Sequence, residues 1–344
     1  MQIGLAVHGW YHPLAETDTY ITSLCKALES IGIYANIIDG FRLPYDTISQ
    51  FIFPPICRYV LKYRDAEYDI IHDTRGDSVF RGVDVATITD LYWNQIKEDL
   101  HDKITQIPIK FFQDYRRTLK VSRRIIVLNS MFKEEIKKYF GNEFDHKVRV
   151  IPVPMSPSAT SLNNERIYDV IWVGSTDRRK QLLLFLNYID KLPKKYKIGI
   201  RVNYLNKRVS DNHRLIHDKI SQLRLSGYTI HSLDFVRSWE LMDNLYKSSK
   251  CLVSTSVYEG FHLPVAEAYL RGVHVILPRN ELYSSIYGDE VGVHYYDEYS
   301  QLPRKISEAF ESGSFTPSKK IINYLSYENV GKMLKTTYEE AMNY

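Results

Sequence analysis

The feature that most constrains this chain is a double series of short β-branched apolar segments, each separated from the next by a stretch with helical spacing. In the first half the segments are Met1 to His8 (MQIGLAVH), Ile33 to Ile38, Asp69 to Asp73 (DIIHD), Val85 to Asp90 (VATITD) and Arg123 to Asn129 (RRIIVLN). Between the first two, Tyr20, Leu24, Ala27 and Leu28 recur on one helix face, and Gly32 ends that helix. The second half repeats the alternation with YDVIWVG (Tyr168 to Gly174), KIGIRV (Lys197 to Val202), YTIHSL (Tyr228 to Leu233), KCLVST (Lys250 to Thr255) and HVILP (His274 to Pro278). Strands that are continuously apolar need cover on both faces, which a parallel sheet flanked by helices provides. Ile151 to Pro157 (IPVPMSP) carries three prolines, which favour extended chain and mark a linker. The expectation is an α/β chain with Rossmann-like domains at 1–151 and 167–324, a linker at 152–166, and an amphipathic helix at 325–344. Val330, Met333, Leu334 and Tyr338 share one face of that helix.

Composition excludes several classes. A chain of 344 residues exceeds what one core usually organises, and 44% hydrophobic with 25% charged residues is ordinary for globular domains. No apolar run approaches the roughly 18–20 residues of a membrane span, and the N-terminus has no basic n-region followed by an apolar core. Cys25, Cys57 and Cys251 are far apart and form no C-x-x-C, so they read as reduced thiols of a cytoplasmic protein. The net charge of +4 is too mild to mark a nucleic-acid binder. Tyrosine is abundant, at 27 against 14 Phe and 4 Trp, which suits partly wet surfaces and sugar sites, or simply strands.

Ligands of doubly wound sheets bind beyond the carboxyl ends of the strands, so two such domains facing one another would place chemistry in the cleft between them. The segment Ser254 to Pro278, STSVYEGFHLPVAEAYLRGVHVILP, has the strongest local signal. A strand ends near Thr255, a loop carries Glu259, Gly260 and Phe261, and Pro264 opens a helix. Gly260 permits close backbone approach, and the N–H groups of His262 and Leu263 at the helix start suit a phosphate or a sugar hydroxyl. Glu259 and Glu267, eight residues apart, can face one cavity. A carboxylate accepts two hydrogen bonds at once, as the vicinal hydroxyls of a ribose or hexose require.

This segment resembles the E-x7-E signature of retaining glycosyltransferases of family 4, which have the GT-B fold. It supplies Ser256, Glu259, Gly260, Phe261, Leu263, Pro264, Glu267 and Ala268, then Gly272, Val275 and Ile276; His262 stands where glycine is usual and His274 where proline is usual. VGSTDRRKQL (Val173 to Leu182), with Gly174 and Ser175, looks like the family's V-G-S-x-x-x-R-K-N segment. KVRVIPVPM resembles the strand entering the interdomain linker, and SLDFVRSWELMDNLY the base-binding loop and helix, with Arg237 at a position where glycine is common. The tail SYENVGKMLKTTY is similar to the closing helix that crosses back onto the first domain. Ala15 and Glu16 occupy the place of a frequent Gly-Gly pair, and Thr87 to Asp90 that of T-x-H-D.

The resemblance implies a metal-independent, retaining transfer from a nucleotide sugar, UDP- or GDP-linked, to a glycan, lipid-linked sugar or glycoprotein. Glu267 would hold the ribose, with Gly174 and Ser175 beside the nucleotide. Glu259 and the backbone from Gly260 through Phe261 and His262 to Leu263 would hold the donor sugar. Arg179 and Lys180 would neutralise the diphosphate. No cofactor beyond the donor and no metal is implied, and the chain has no D-x-D motif. A same-face attack assisted by the leaving phosphate fits better than a double displacement, for which no nucleophilic carboxylate can be named.

Other readings stand beside these. Glu259 and Glu267 could be a loop acid and a helix acid, and Arg179 and Lys180 a charged turn. His213 and His217, four apart, read as surface rather than as metal ligands. His72 and Asp73 could touch a substrate or stay in the core, and His262 could meet the donor sugar or only tolerate the turn. Residues 103–149 hold twelve Lys or Arg against five Asp or Glu, interleaved with Phe111, Phe112, Tyr115 and Phe132, and FIFPPICRYVLKYR (Phe51 to Arg64) has similar character. Such a face could rest on anionic lipid, as a peripheral membrane contact, or track nucleic acid, or be an ordinary helix with buried aromatics. Two rival functions remain: an inert GT-B scaffold that binds a nucleotide sugar, and a glucosyltransferase acting on DNA bases.

Overall fold

The computed structural model describes residues 1–8, 16–40, 68–74, 83–91, 115–157, 166–203, 211–233 and 239–344. It divides into two compact units, Met1–Met155 with Asn323–Tyr344, and Ser156–Ile322. Cys57, Ala15, Phe111, Phe112, Arg237 and the segment 51–64 lie outside the described residues.

In the first unit, strands β1 (Ile3–His8), β2 (Ala35–Gly40), β3 (Ile70–Asp73), β4 (Val85–Ile88), β5 (Arg124–Val127) and β6 (Val148–Val150) accompany helices α1 (Glu16–Glu29) and α2 (Ser130–Phe140). The six strands are parallel, in the order β2-β1-β3-β4-β5-β6. Every residue of β3 and β4 is buried, as strands covered on both faces must be. Asn129 caps α2 by accepting from the Phe132 N–H.

The second unit holds β7 (Tyr168–Ser175), α3 (Leu182–Ile189), β8 (Lys197–Asn203), α4 (Asp211–Leu225), β9 (Thr229–Leu233), α5 (Trp239–Lys247), β10 (Ser249–Val253), α6 (Leu263–Tyr269), β11 (His274–Pro278), α7 (Glu281–Tyr287), β12 (Val293–Tyr296) and α8 (Leu302–Glu311). Its parallel order is β12-β11-β10-β7-β8-β9. The chain winds outward from β7 to β9, returns to β10 beside β7, and winds the other way. The crevice at a reversal of this kind is where doubly wound sheets take their ligands. The expected α/β class, with two Rossmann-like parallel sheets, is therefore the one observed.

The chain then forms α9 (Lys319–Leu325) and α10 (Tyr327–Met342). Met155 N–H donates to the Leu325 carbonyl at 2.6 Å, and α10 packs on α1, which together return the chain to the first unit. The approach is close: a Cβ on Gly331 would stand 2.2 Å from the Ala27 carbonyl oxygen. Val330, Leu334 and Tyr338 are buried on this face, along with Gly331, Thr337 and Ala341.

Two strands begin later than their apolar runs. Gly32 at φ +77° lets the Ile33 N–H donate back to the Leu28 carbonyl, so Ile33 closes α1 and β2 starts at Ala35. Gly227 at φ +89° holds Tyr228 to Leu223 in the same way, and β9 starts at Thr229. About half of the described tyrosines belong to the core. Tyr115, Tyr246, Tyr269, Tyr283, Tyr287, Tyr296 and Tyr338 are fully buried, and several bond a polar partner, as Tyr115 does the Asp90 carbonyl at 2.7 Å and Tyr296 the Ser254 carbonyl at 2.9 Å. Cys251 is buried and Cys25 half-buried, both as free thiols. No helix among the described residues is long and apolar enough to cross a membrane.

Candidate functional site

The switch point of the second unit lies between β7 and β10, and two loops meet there. Space for the first loop depends on Gly174, whose Cβ would stand 2.7 Å from the Trp172 ring. The indole N–H of Trp172 donates to Thr255 Oγ1 at 3.1 Å, and Thr255 Oγ1 in turn donates to the Lys180 carbonyl at 2.8 Å. The Val257 N–H donates to the Arg179 carbonyl at 3.0 Å. The tight turn at Arg178–Lys180 is thus stitched to the chain that leaves β10. Ser175, at the end of β7, is buried with its Oγ unpartnered among the described residues.

This stitching brings Glu259 to the basic turn. Its Oε1 lies 2.5 Å from Lys180 Nζ and its Oε2 3.2 Å from Arg179 Nη1, while Arg179 Nη1 also reaches the Tyr258 carbonyl at 3.3 Å. Asp177 approaches Arg179 Nε at 3.4 Å. The Glu259 side chain is only 6% exposed. Burial alone would raise its carboxyl, but Lys180, with His262 and Arg179 beside it, holds it well below the usual carboxylate range. The trio is a fixed carboxylate facing two fixed cations in a dry setting, where charges act strongly on one another.

His262 takes the left-handed conformation, φ +62°, that glycine adopts most readily. Its ring is buried: Nδ1 lies 2.6 Å from the Tyr283 hydroxyl and 3.3 Å from Ser254 Oγ, and Nε2 faces Glu259 Oε1 at 4.0 Å. Burial pushes the imidazole down to about 3, so it is neutral. With its hydrogen on Nε2, toward the carboxylate, Nδ1 accepts from the phenol. Gly260 and Phe261 are buried and Leu263 is half-buried at the start of α6, with Pro264 in its first turn.

Glu267 lies on α6 and has a different set of partners. Its Oε2 accepts from the Tyr246 hydroxyl of α5 at 2.6 Å. Arg271 donates from Nη1 to the Glu267 carbonyl at 2.8 Å and pairs through Nε with Asp243 at 2.6 Å; Lys247 pairs with the same aspartate. The Arg271 guanidinium also lies over the Tyr246 ring, 5.6 Å from its centroid. Glu259 and Glu267 are both buried.

His72 takes the core alternative. Its Nδ1 lies 2.8 Å from the Tyr338 hydroxyl and its Nε2 2.7 Å from Thr87 Oγ1, with the Tyr20 hydroxyl 3.2 Å from Thr87. Burial lowers this imidazole to about 4. His217 is exposed and His213 half-buried on α4, and among the described residues no group of three His, Cys, Asp or Glu side chains could hold a metal ion. In the basic stretch, Tyr115 and Phe132 are buried, while Arg116, Arg117, Lys120 and Val121 are exposed.

The sequence reading missed Tyr246, Asp243 and Arg271 around Glu267, and Ser254 and Tyr283 around His262. Tyr246 is a polar-tipped residue on the apolar face of α5, but nothing in that spacing names Glu267 as its partner.

No family model matches the chain, and no curated protein matches it by sequence. Its fold does match solved structures along nearly its whole length. A sucrose-phosphate synthase from Thermosynechococcus elongatus superposes with a TM-score of 0.78 at 15% identity, over 98% of both chains. Anabaena HepE, in complex with UDP and glucose, gives 0.72 at 13% identity over 98% of this chain and 99% of its own. WaaG, a glycosyltransferase involved in lipopolysaccharide biosynthesis, gives 0.65 at 14% identity over 99% and 98%. The fold is that of these GT-B glycosyltransferases.

Proposed function

We propose that this protein is a glycosyltransferase that moves a sugar from a nucleotide-sugar donor, UDP- or GDP-linked, to a hydroxyl of a carbohydrate or lipid-linked acceptor, with retention and without a metal. The observation that carries this reading is the meeting of Lys180 and Arg179 with Glu259 at the switch point of a doubly wound sheet. HepE, described with UDP and glucose, and WaaG, a lipopolysaccharide glycosyltransferase, share the fold and are consistent with it.

In the reaction the bond from C1 to the diphosphate oxygen breaks and its electron pair stays on the phosphate. The acceptor oxygen bonds C1 on the same face, and its proton passes to the departing phosphate oxygen. Charge develops on the diphosphate, where Lys180 and Arg179 stabilise it by several kcal/mol, on the scale of an oxyanion-hole donor. Ser175, at the end of β7, adds a buried hydroxyl that has no partner among the described residues. Glu259, ionised at any working pH, accepts from hydroxyls of the transferred sugar, while Glu267 accepts from the ribose. His262 stiffens the loop between them.

Thermal unfolding with UDP and GDP, with and without magnesium and repeated on Glu267→Ala, tests this reading. A nucleotide at about a hundred times its dissociation constant adds roughly 2.7 kcal/mol. The reading requires that one nucleotide stabilises without metal, that the variant loses the effect, and that the matching nucleotide sugar is consumed. Binding with no turnover, including no donor hydrolysis, leaves the inert scaffold in its place.

The acceptor side of the reading rests on the exposed Arg116, Arg117, Lys120 and Val121, which suit a peripheral contact with anionic lipid. Co-sedimentation with phosphatidylglycerol vesicles, lost on exchange of the three cations for glutamate, is its measurement.

A further inference from the structure

We infer that Tyr246 is a positioning residue for the Glu267 carboxylate, and that through this bond the site distinguishes a ribose hydroxyl pair from a sugar lacking it; the inference rests on the reading that Glu267 holds the ribose. Glu267 is a flexible side chain on a short helix with cations close by. On the facing helix α5, Asp243 takes Arg271 Nε at 2.6 Å and pairs with Lys247, and Arg271 spends its Nη1 on the Glu267 backbone carbonyl. One helix therefore presents both an acid that engages the basic groups and, three residues on, a hydroxyl that engages the carboxylate. The Tyr246 hydroxyl reaches Glu267 Oε2 at 2.6 Å, the short range of a bond to an ionised acceptor. Tyr246 is fully buried and its ring is flanked by the Arg271 guanidinium, so the donor cannot swing away. Burial first, and the Glu267 charge next, hold the phenol well above its ordinary value, so it remains a donor throughout the working range. Recognition of a vicinal diol needs the carboxylate plane set before the ligand arrives, because orientation fixed in advance is not lost on binding. Removing the hydroxyl takes this donor from Oε2 and loosens the setting of the carboxylate plane.

The test is Tyr246→Phe, titrated with whichever of UDP and GDP stabilises the protein and with its 2′,3′-dideoxy form. In the parent protein the dideoxy form binds about tenfold or more weakly. In Tyr246→Phe the ribonucleotide weakens about tenfold, the dideoxy form stays within about twofold, and kcat/KM falls through KM. Undiminished discrimination in Tyr246→Phe, with its loss in Glu267→Ala, overturns the inference alone. Undiminished discrimination in Glu267→Ala overturns the underlying reading and the inference with it. Should Tyr246→Phe not fold, 3-fluorotyrosine placed at 246 gives a fluorine resonance that shifts with the ribonucleotide and not with its dideoxy form. An equal shift with both refutes the inference.

Discussion

Replacing Glu259 by glutamine removes one negative charge from between Lys180 and Arg179 and leaves the shape of the side chain almost unchanged. Side-chain exposures of 6% for Glu259, 9% for Lys180 and 17% for Arg179 place all three largely out of water. Breaking such a pair from one side costs about 3–5 kcal/mol, because the surviving charge remains buried without its counterion. The amide oxygen still accepts one bond, and Asp177 stays 3.4 Å from Arg179, so the lower end of that range, about 3 kcal/mol, is expected. For a unit of this size that corresponds to a fall in Tm of roughly 6–12 °C without ligand. On the proposed reading, a nucleoside diphosphate would restore negative charge beside the two cations. The variant should therefore recover at least about half of the loss with saturating UDP or GDP and bind that nucleotide at least about tenfold more tightly than the parent, a gain of about 1.4 kcal/mol. Turnover should collapse over the same substitution. Calorimetric unfolding with and without the nucleotide, paired with isothermal titration, reads both quantities. A ligand-free Tm equal to that of the parent would show that the trio is not a buried charge cluster. An equal loss of Tm with and without nucleotide would show that Lys180 and Arg179 do not meet the diphosphate.

Three further outcomes follow from the geometry. Gly174→Ala puts a Cβ 2.7 Å from the Trp172 ring, which must move and pull on the Thr255 bond that ties down the Lys180 turn; stability falls by about 1–3 kcal/mol in urea unfolding, and nucleotide binding weakens several-fold by titration calorimetry. Gly331→Ala gains about 1 kcal/mol of helix propensity, but its Cβ meets backbone at 2.2 Å and forces α10 away from α1, so stability in urea unfolding falls by about 1–3 kcal/mol net. The third concerns acid. The unfolded chain protonates its histidines near 6.5, whereas burial holds His72 at about 4, so His72 contributes stability that is fully present above pH 6.5 and lost as pH falls toward 4. The loss is about 3 kcal/mol, and a Tm–pH profile of His72→Asn should be flatter across that window.

What the sequence disclosed was whatever repeats with a period. Continuous runs such as Ile125 to Val127 and Val170 to Val173 announce strands covered on both faces, and the order of runs and helices announces two parallel sheets. β12 escaped notice because VHYY is four residues long and half-buried at its first two positions, so no apolar run stands out. At the site, the loop carrying Glu259 and the helix carrying Glu267 were legible because Gly, Pro and acidic residues stand at local spacings with local meaning. Lys180 and Glu259 are 79 residues apart, and their ion pair depends on β7 and β10 becoming neighbours through a chain reversal. Tyr246 and Tyr283 were illegible for the same reason. Each is an apolar helix-face residue by pattern, and only the neighbouring element decides which polar group its hydroxyl meets. His72 gave the opposite difficulty, since a histidine at a strand end looks the same whether a substrate or Tyr338 stands opposite.

The return of α10 to the first unit also sets an order of events during synthesis. Ser156–Ile322 can close its sheet and core as soon as it leaves the ribosome, since every strand of its sheet is in hand. The earlier-made unit must wait. Until Tyr338 emerges, His72 has only Thr87 of its two side-chain partners, and until Gly331 arrives the surface beside Ala27 is bare. The part translated first is thus the part completed last, and a chain stopped short of residue 327 would carry a finished second unit and a first unit whose α1 face is still bare, a form open to chaperones and proteases.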